Sequence, residues 1–560
     1  MIEPPRTGPA PVAHGPASPA ASIQLGGWSF YFIAKFLLHG RGLIDFHALE
    51  NLAFAAALLA PLPPAWRRLR LVLAVPVAVA LLYHESWLPP FSRLWSQATL
   101  LTDFSADYLL ELAGRFVNVE VVALLVLAWA AQHIVSRYIR VGVLVTAALL
   151  VLAVMPYTQM LAKGPSLASA GALPATTAQR DQGPDALLRD FYAAEARRVV
   201  SLPDLAARGE APPFDLVFLH VCSLSWDDLQ FSGLDGHPLW SRFDALFTRF
   251  NSAASYSGPS AIRIHRALCG QTPHQGLYDT AADSCYLFPN LKRAGFTPEL
   301  ALNHDGHFDD FLSVLRRQGL NAPPLPLEGT PVPQRGFDDS PIHDDLAVLA
   351  RWLDGRTHRD PDQSTQARAA LYYNTISLHD GNKLSTGARL DAAASYRLRA
   401  GKLFDDINAF LNLLEQSGRR VIVVLTPEHG AALRGDRYQI AGLRDMPTPQ
   451  ITNVPVGVKV IGARREDAAL RIDQPSSYLG LSQLLAQLIA TPPYPAQQDA
   501  SAAASAGFRM ADYARQLPAT HYVADNDGTV MLALPDAGSD TGAGHYLVQR
   551  KGQSWQDYAP

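Results

Sequence analysis

At 560 residues the chain is long enough for three or four units of roughly 150 residues each. Its 47 Lys and Arg stand against 51 Asp and Glu, and a net charge of −4 excludes a global electrostatic footprint for nucleic acid. Charged residues make up 18% and apolar ones 48%, with a mean hydropathy of +0.02, too apolar for an average soluble enzyme and too polar for a transporter. The average must hide two populations of sequence.

The first population is the N-terminal third. Residues 1–24 are rich in Pro and Ala and predict a disordered tail, with no basic run that would make a cleaved signal peptide. Five apolar stretches follow, near Gly26–Leu38, Leu52–Trp66, Leu71–Tyr83, Val119–Val135 and Val141–Met160. They predict a transmembrane anchor over 25–160, the third stretch being short and carrying Pro76. Lys35 sits near the end of the first stretch, where it is expected to snorkel. Arg67, Arg68 and Arg70 fall between stretches two and three, and Arg137 and Arg140 between four and five. Both loops share one side, so the positive-inside rule predicts a cytoplasmic N-terminus and places everything after Met160 outside. The alternative is a bundle of buried helices in a soluble protein.

The second population predicts a linker and connecting helix over 161–200, an α/β domain over 201–495, and a linker with C-terminal β hairpins over 496–560. Phe214–Cys222 (FDLVFLHVC) is a nearly continuous apolar run, the pattern of a strand buried on both faces. Weaker runs lie at Thr297–Leu302, Ala369–Ser377, Arg420–Leu425 and Val454–Ile461, separated by helical patterns over Pro289–Ala294, Arg389–Ser417 and Ser477–Ala490. Such alternation predicts a doubly wound α/β fold whose ligand crevice opens at the carboxyl ends of the strands. Beyond a small-residue connector at Thr491–Gly507, the Asn526-Asp527-Gly528 turn and Lys551-Gly552 predict two hairpins forming a small antiparallel cap.

Three strand ends carry metal-ligating residue types: Cys222, the Leu378-His379-Asp380-Gly381-Asn382 loop and Thr426-Pro427-Glu428-His429-Gly430. Thiolate, imidazole and carboxylate are the ligands zinc accepts, so Cys222, Glu428 and His429 supply three. Ser257, ahead of a helical stretch through Leu268, is a fourth candidate and a nucleophile. Free N–H groups at a helix start favour phosphate, and a metal lowers a hydroxyl's pKa. Each residue also has a plainer reading: Glu428-His429 as a solvated turn, His379 as an ordinary polar loop residue, Ser257 as a helix cap, Cys222 as a small buried hydrophobe. Cys269 and Cys285, 16 positions apart and outside by the topology argument, are free to form a disulfide worth about 3 kcal/mol. A pairing that involves Cys222 instead would destroy the metal site. No Walker-type glycine loop is present and nucleoside triphosphate is absent outside the inner membrane, so a phosphoryl donor there must be a lipid or another ester.

The segments HVCSLSWDD, FNSAASYSGPSAIR, SCYLF, LHDGN, PEHGAALRGDR, GLRDMPTPQITNVPVG and QPSSYLGLS together resemble the cellulose phosphoethanolamine transferases of the BcsG type, membrane-anchored members of the alkaline phosphatase and sulfatase superfamily. The resemblance spans nearly the whole chain and implies an alkaline-phosphatase-like α/β domain. It implies a zinc enzyme that moves phosphoethanolamine from phosphatidylethanolamine to glucosyl 6-hydroxyls of cellulose, beside the cellulose synthase complex of the inner membrane, releasing diacylglycerol. Ser257 would form the phosphoethanolamine-serine intermediate, with Cys222, Glu428 and His429 on zinc. His379 would help the transition state or protonate a leaving alkoxide, and Tyr256 and Arg444 would contact the phosphate. Relatives that modify lipid A carry a carboxylate where Cys222 stands. Rival readings are a phosphoethanolamine or phosphoglycerol transferase for lipid A or another envelope glycan, a sulfatase, and a non-catalytic scaffold of cellulose synthase. The sulfatase reading is weakened because Ser257-Gly258-Pro259-Ser260-Ala261 lacks the Arg of the C/S-x-P-x-R sequence.

Overall fold

The structure, a computed structural model, describes residues 25–86, 109, 114, 119–162, 183–205, 207, 212–360, 368–387, 390–436, 438–494, 507–534 and 545–558. The expected tail over 1–24, most of the linker after Ala162 and most of the connector after Thr491 lie outside these residues. The chain divides into two compact units, 1–88 with 117–171, and 89–116 with 172–560.

In the first unit all five apolar stretches are helical: Trp28–Gly40, Ala48–Leu59, Pro64–Glu85, Val119–Val135 and Val141–Ala162. The third is longer than its apolar stretch because Pro64, pre-set for a first turn, starts it ahead of the arginines, and it continues through Pro76. Phe32, Phe54, Leu58, Ala74, Ala78 and Leu149 form the packed interior. Lys35 does not snorkel: it is buried and pairs with buried Glu85 at 2.5 Å, with Asn51 bonded to both. A lone buried ammonium is too costly, and Glu85 supplies the countercharge. Many outward side chains are apolar, Val72 at 68% and Leu127 at 67% exposure among them. Among the described residues, however, no helix is long and apolar enough to cross a membrane. Twelve residues, as in Ala48–Leu59, rise only about 18 Å against a hydrocarbon core of about 30 Å.

Among the described residues the second unit holds fourteen strands: β1 Asp215–Val221, β2 Ala245–Asn251, β3 Phe296–Leu302, β4 Gln334–Arg335, β5 Pro341–Ile342, β6 Arg368–Thr375, β7 Lys383–Leu384, β8 Val421–Pro427, β9 Asn453–Ile461, β10 Leu470–Ile472, β11 Val523–Asn526, β12 Thr529–Ala533, β13 Tyr546–Arg550 and β14 Gln556–Tyr558. Seven form one sheet in the order β10-β2-β9-β8-β1-β6-β3. The central strand β1 is parallel to both neighbours, Leu216 facing Ala370 of β6 and Ile422 of β8. β9 runs antiparallel between β8 and β2, so the sheet is mixed.

Alternation along β1 explains the layering. Leu216 and Phe218 join one core with the helices Ser257–His265, Leu287–Arg293 and Tyr478–Ala490. Val217, Leu219 and Val221 join the other, with Asp345–Arg359 and Ala392–Gln416. All seven residues of β1 are buried, which is why its sequence reads as a continuous apolar run.

β11 to β14 form a four-stranded antiparallel meander, the expected cap. It is not peripheral. The connecting helix Pro184–Glu195 packs Phe191 against Val523 and Leu532, and Asp525 accepts from Arg263 at 2.5 Å and from Tyr192 at 2.8 Å. Cys269 and Cys285 are disulfide-bonded, leaving Cys222 as a buried free thiol.

Candidate metal centre and active site

Three parallel strands deliver the site. Cys222 directly follows β1, and its N–H donates to Thr375 O at the end of β6 at 2.9 Å. Likewise Glu428, after β8, donates its N–H to Val221 O at 2.9 Å. The chain leaves β1 through Ser223 at φ 62°, a left-handed conformation that a residue with a Cβ adopts at a cost, and strain of this kind concentrates at functional sites. After His429 the bend needs glycine: a Cβ on Gly430 would stand 2.6 Å from Ser225 Oγ and 2.8 Å from Asp228 Oδ2.

Cys222 Sγ, a Glu428 carboxylate oxygen and a His429 ring nitrogen lie within 4.8 Å of one another, all buried. His429 Nδ1 donates to Gly430 O at 2.8 Å, which leaves the Nε2 lone pair turned into the cluster. Ser257 is the first residue of the helix Ser257–His265 and is not its cap, a place Tyr256 takes. Its Oγ lies 3.5 Å from Cys222 Sγ and 3.4 Å from His429 Nε2. Four atoms from three distant parts of the chain therefore face one point.

Their electrostatics fit a site for a cation. Burial, with Glu428 beside it, pushes the Cys222 thiol up to about 12. Burial also raises the Glu428 carboxyl and holds His429 well below the usual imidazole range. Glu428 Oε2 has no hydrogen-bond partner although fully buried. An orphaned carboxylate oxygen beside a thiol and an imidazole lone pair fits a divalent metal, whose charge would reverse the desolvation that keeps these groups neutral.

A cleft of about 620 Å³ opens over this cluster, lined by Tyr256, Ser257, His379, Glu428 and Arg444 among others. Arg444 is buried, donates to Ser223 Oγ at 3.3 Å, lies 5.6 Å above the Tyr256 ring and keeps an unpartnered Nε–H. Tyr256 donates its phenol to Asp445 at 2.8 Å, so the ring supports Arg444 while the hydroxyl is held by a carboxylate. His379 Nδ1 donates to Asp380 O at 2.8 Å; burial and then Arg444 push its pKa to about 4, leaving a neutral imidazole.

Sequence reasoning missed the residues beneath. Asn374 of β6 donates to Glu428 Oε1 at 2.6 Å and accepts from His304 at 2.9 Å, while His220 of β1 stands 3.5 Å from the same carboxylate. The available signal was polarity out of place: His220 and Asn374 are polar residues inside strands otherwise built to be buried. Another wall of the cleft, Phe308, Asp309 and Phe337, comes from the short 3-10 helix Phe308–Asp310 and a turn, with no pattern to find.

Fold and donor set together define an α/β domain with a metal-binding group and an adjacent hydroxyl at its strand carboxyl ends. Two family models match: the cellulose biosynthesis protein BcsG N-terminal domain over residues 28–154 and its C-terminal domain over 169–555. The chain belongs to the BcsG family of cellulose biosynthesis proteins. It is 42% identical to cellulose biosynthesis protein BcsG of Escherichia coli (strain K12) over 499 residues, 83% of this chain and 87% of that one. The match to the protein of the same description from Salmonella typhimurium (strain LT2) is also 42%, over 494 residues and the same shares of the two chains. Among solved structures it is similar to the integral membrane lipooligosaccharide phosphoethanolamine transferase A of Neisseria meningitidis, with 13% identity, 83% of this chain and 94% of that one covered, and a TM-score of 0.41.

Proposed function

We propose that this protein is a zinc-dependent transferase that moves phosphoethanolamine from phosphatidylethanolamine to glucosyl 6-hydroxyls of cellulose. The observation that carries the reading is Ser257 Oγ within 3.5 Å of both Cys222 Sγ and His429 Nε2 on the wall of the cleft. A zinc ion held by Cys222, Glu428, His429 and Ser257 would supply Lewis acidity, lowering the pKa of the serine hydroxyl. Ser257 then displaces diacylglycerol from phosphorus: the Oγ–P bond forms, the P–O bond to the glyceride breaks, and the proton lost from Oγ ends on the glyceride oxygen. The glucosyl hydroxyl next breaks the Oγ–P bond and restores Ser257. Arg444, with its spare N–H, faces the phosphoryl oxygens. His379, held neutral, is suited to accept the proton of the attacking hydroxyl and, within the same step, to pass it to the leaving oxygen, the glyceride oxygen first and Ser257 Oγ second.

The family's role in cellulose biosynthesis supports the acceptor. The exposed apolar side chains of the first unit support a membrane anchor that brings the lipid to the site, with the N-terminus cytoplasmic, residues 201–495 periplasmic as the catalytic domain, and the cellulose synthase complex as partner. The test is mass spectrometry of the zinc-loaded full chain after incubation with phosphatidylethanolamine. A phosphoethanolamine adduct is expected on the peptide that holds Ser257, absent from Ser257→Ala and discharged by added cello-oligosaccharide. No adduct on zinc-loaded protein would refute the mechanism, and discharge only by lipid A would refute the acceptor.

A further inference from the structure

The cleft is polar in a directed way. At its inner end Arg444 is buried with an Nε–H that has no partner, which points to an anionic ligand. On another wall, next to the nucleophile, stands a carboxylate: Asp309 Oδ2 lies 3.4 Å from where a Cβ on Gly258 would be. Asp309 is itself exposed, and the other acids of the cleft are hydrogen-bonded or lie on a turn. Asp305 accepts from His307 N at 2.9 Å, and Asp338 accepts from Ser340 N at 3.0 Å and Ser340 Oγ at 2.6 Å. Asp527 is exposed on a hairpin turn. Beside Asp309, Phe308 is 38% exposed, its ring 4.8 Å from Phe337 and 6.4 Å from His379.

A carboxylate beside an exposed aromatic ring is the chemistry that recognises an ammonium group. In an aminoethyl phosphate ester, two methylenes separate the ammonium from the phosphate, so a ligand whose phosphorus is at Ser257 presents its cation within the same cleft. We infer that Asp309, with Phe308 beside it, determines donor specificity by taking the ammonium of the ethanolamine head group. The inference rests on the transferase reading above and adds what makes this donor preferred. Partial burial against the cleft wall, and then the neighbouring Asp310, raise the Asp309 carboxyl, and a bound ammonium opposes both effects.

The experiment compares two soluble diesters on the zinc-loaded full chain: p-nitrophenyl aminoethyl phosphate and p-nitrophenyl propyl phosphate, its isostere with a methyl group in place of the ammonium. The wild type is expected to favour the aminoethyl ester by about tenfold or more in kcat/KM. Asp309→Asn is expected to lose about tenfold on that ester, mainly through KM, with the propyl ester unchanged, and Asp309→Glu to recover part of the preference. Equal loss on both esters overturns the assignment by making Asp309 merely structural, as does a wild type without preference. Either result leaves a Ser257 adduct intact, whereas a wild type that shows neither turnover nor adduct overturns the transferase reading and this inference with it.

Discussion

The two ends of the central strands treat buried charge in opposite ways. At the amino ends of β1, β6 and β8, Asp215 pairs with Arg356 at 2.9 Å and Arg419 at 3.0 Å, while Asp360 reaches Arg368 at 3.2 Å. Asp215 Oδ1 also accepts from Ala369 N at 2.8 Å, so every charge has a countercharge and the strands are tied in register. At the carboxyl ends of the same strands, Cys222, Glu428 and His429 are brought together with lone pairs facing one another and an oxygen left unpartnered. Neutralised charge does structural work. Lone pairs that converge on one point define a place where a metal ion belongs.

The sharpest break in this comparison is Asp215→Ala, which leaves buried Arg356, Arg368 and Arg419 to share the single carboxylate of Asp360. It is expected to lower unfolding free energy by about 3–5 kcal/mol in denaturant melts while zinc content of the folded protein is unchanged. Cys222→Ser should do the reverse. Zinc measured on the purified protein and donor turnover fall together, by roughly a hundredfold in activity, while the far-UV signal and melting profile of the metal-free protein stay near wild type. Unchanged zinc content would remove Cys222 from the ligand set.

The smallest effect is electrostatic. Asp228, fully buried, accepts from Ser225 Oγ at 2.7 Å and Ala431 N at 2.6 Å, tying the bend after Cys222 to the bend after His429, and burial pushes it up to about 6. The folded protein therefore holds a proton between about pH 6 and pH 4 that the unfolded chain, near 3.8, does not. This carboxyl's contribution to stability rises as pH falls through 6, with a slope below about 1.4 kcal/mol per pH unit. Asp228→Asn should flatten that slope in melts between pH 4 and 7; an unchanged slope would assign it to another group.

Much of this was legible because strands covered on both faces announce themselves. Phe214–Cys222 reads as a buried strand, and the residue types after it and after β8 are metal ligands whatever the fold. β2 was not legible: its exposed Arg249 interrupts the run, and it is held by β9 rather than by its own pattern. Nor was the direction of β9, since an apolar strand looks the same run either way. In the first unit Lys35 looked like a snorkelling end residue because its partner Glu85 lies fifty positions away.

The sequence by itself determined the division into an apolar N-terminal third and an α/β remainder, the strand and helix alternation, and the ligand types at the strand ends. These follow from periodicity and side-chain chemistry, which are local. Only the tertiary structure decided that Cys222, Ser257, Glu428 and His429 meet, that Asn374 and His304 hold the carboxylate from below, and that Asp309 faces Gly258. Those distances depend on strand order and loop path, which no local pattern encodes.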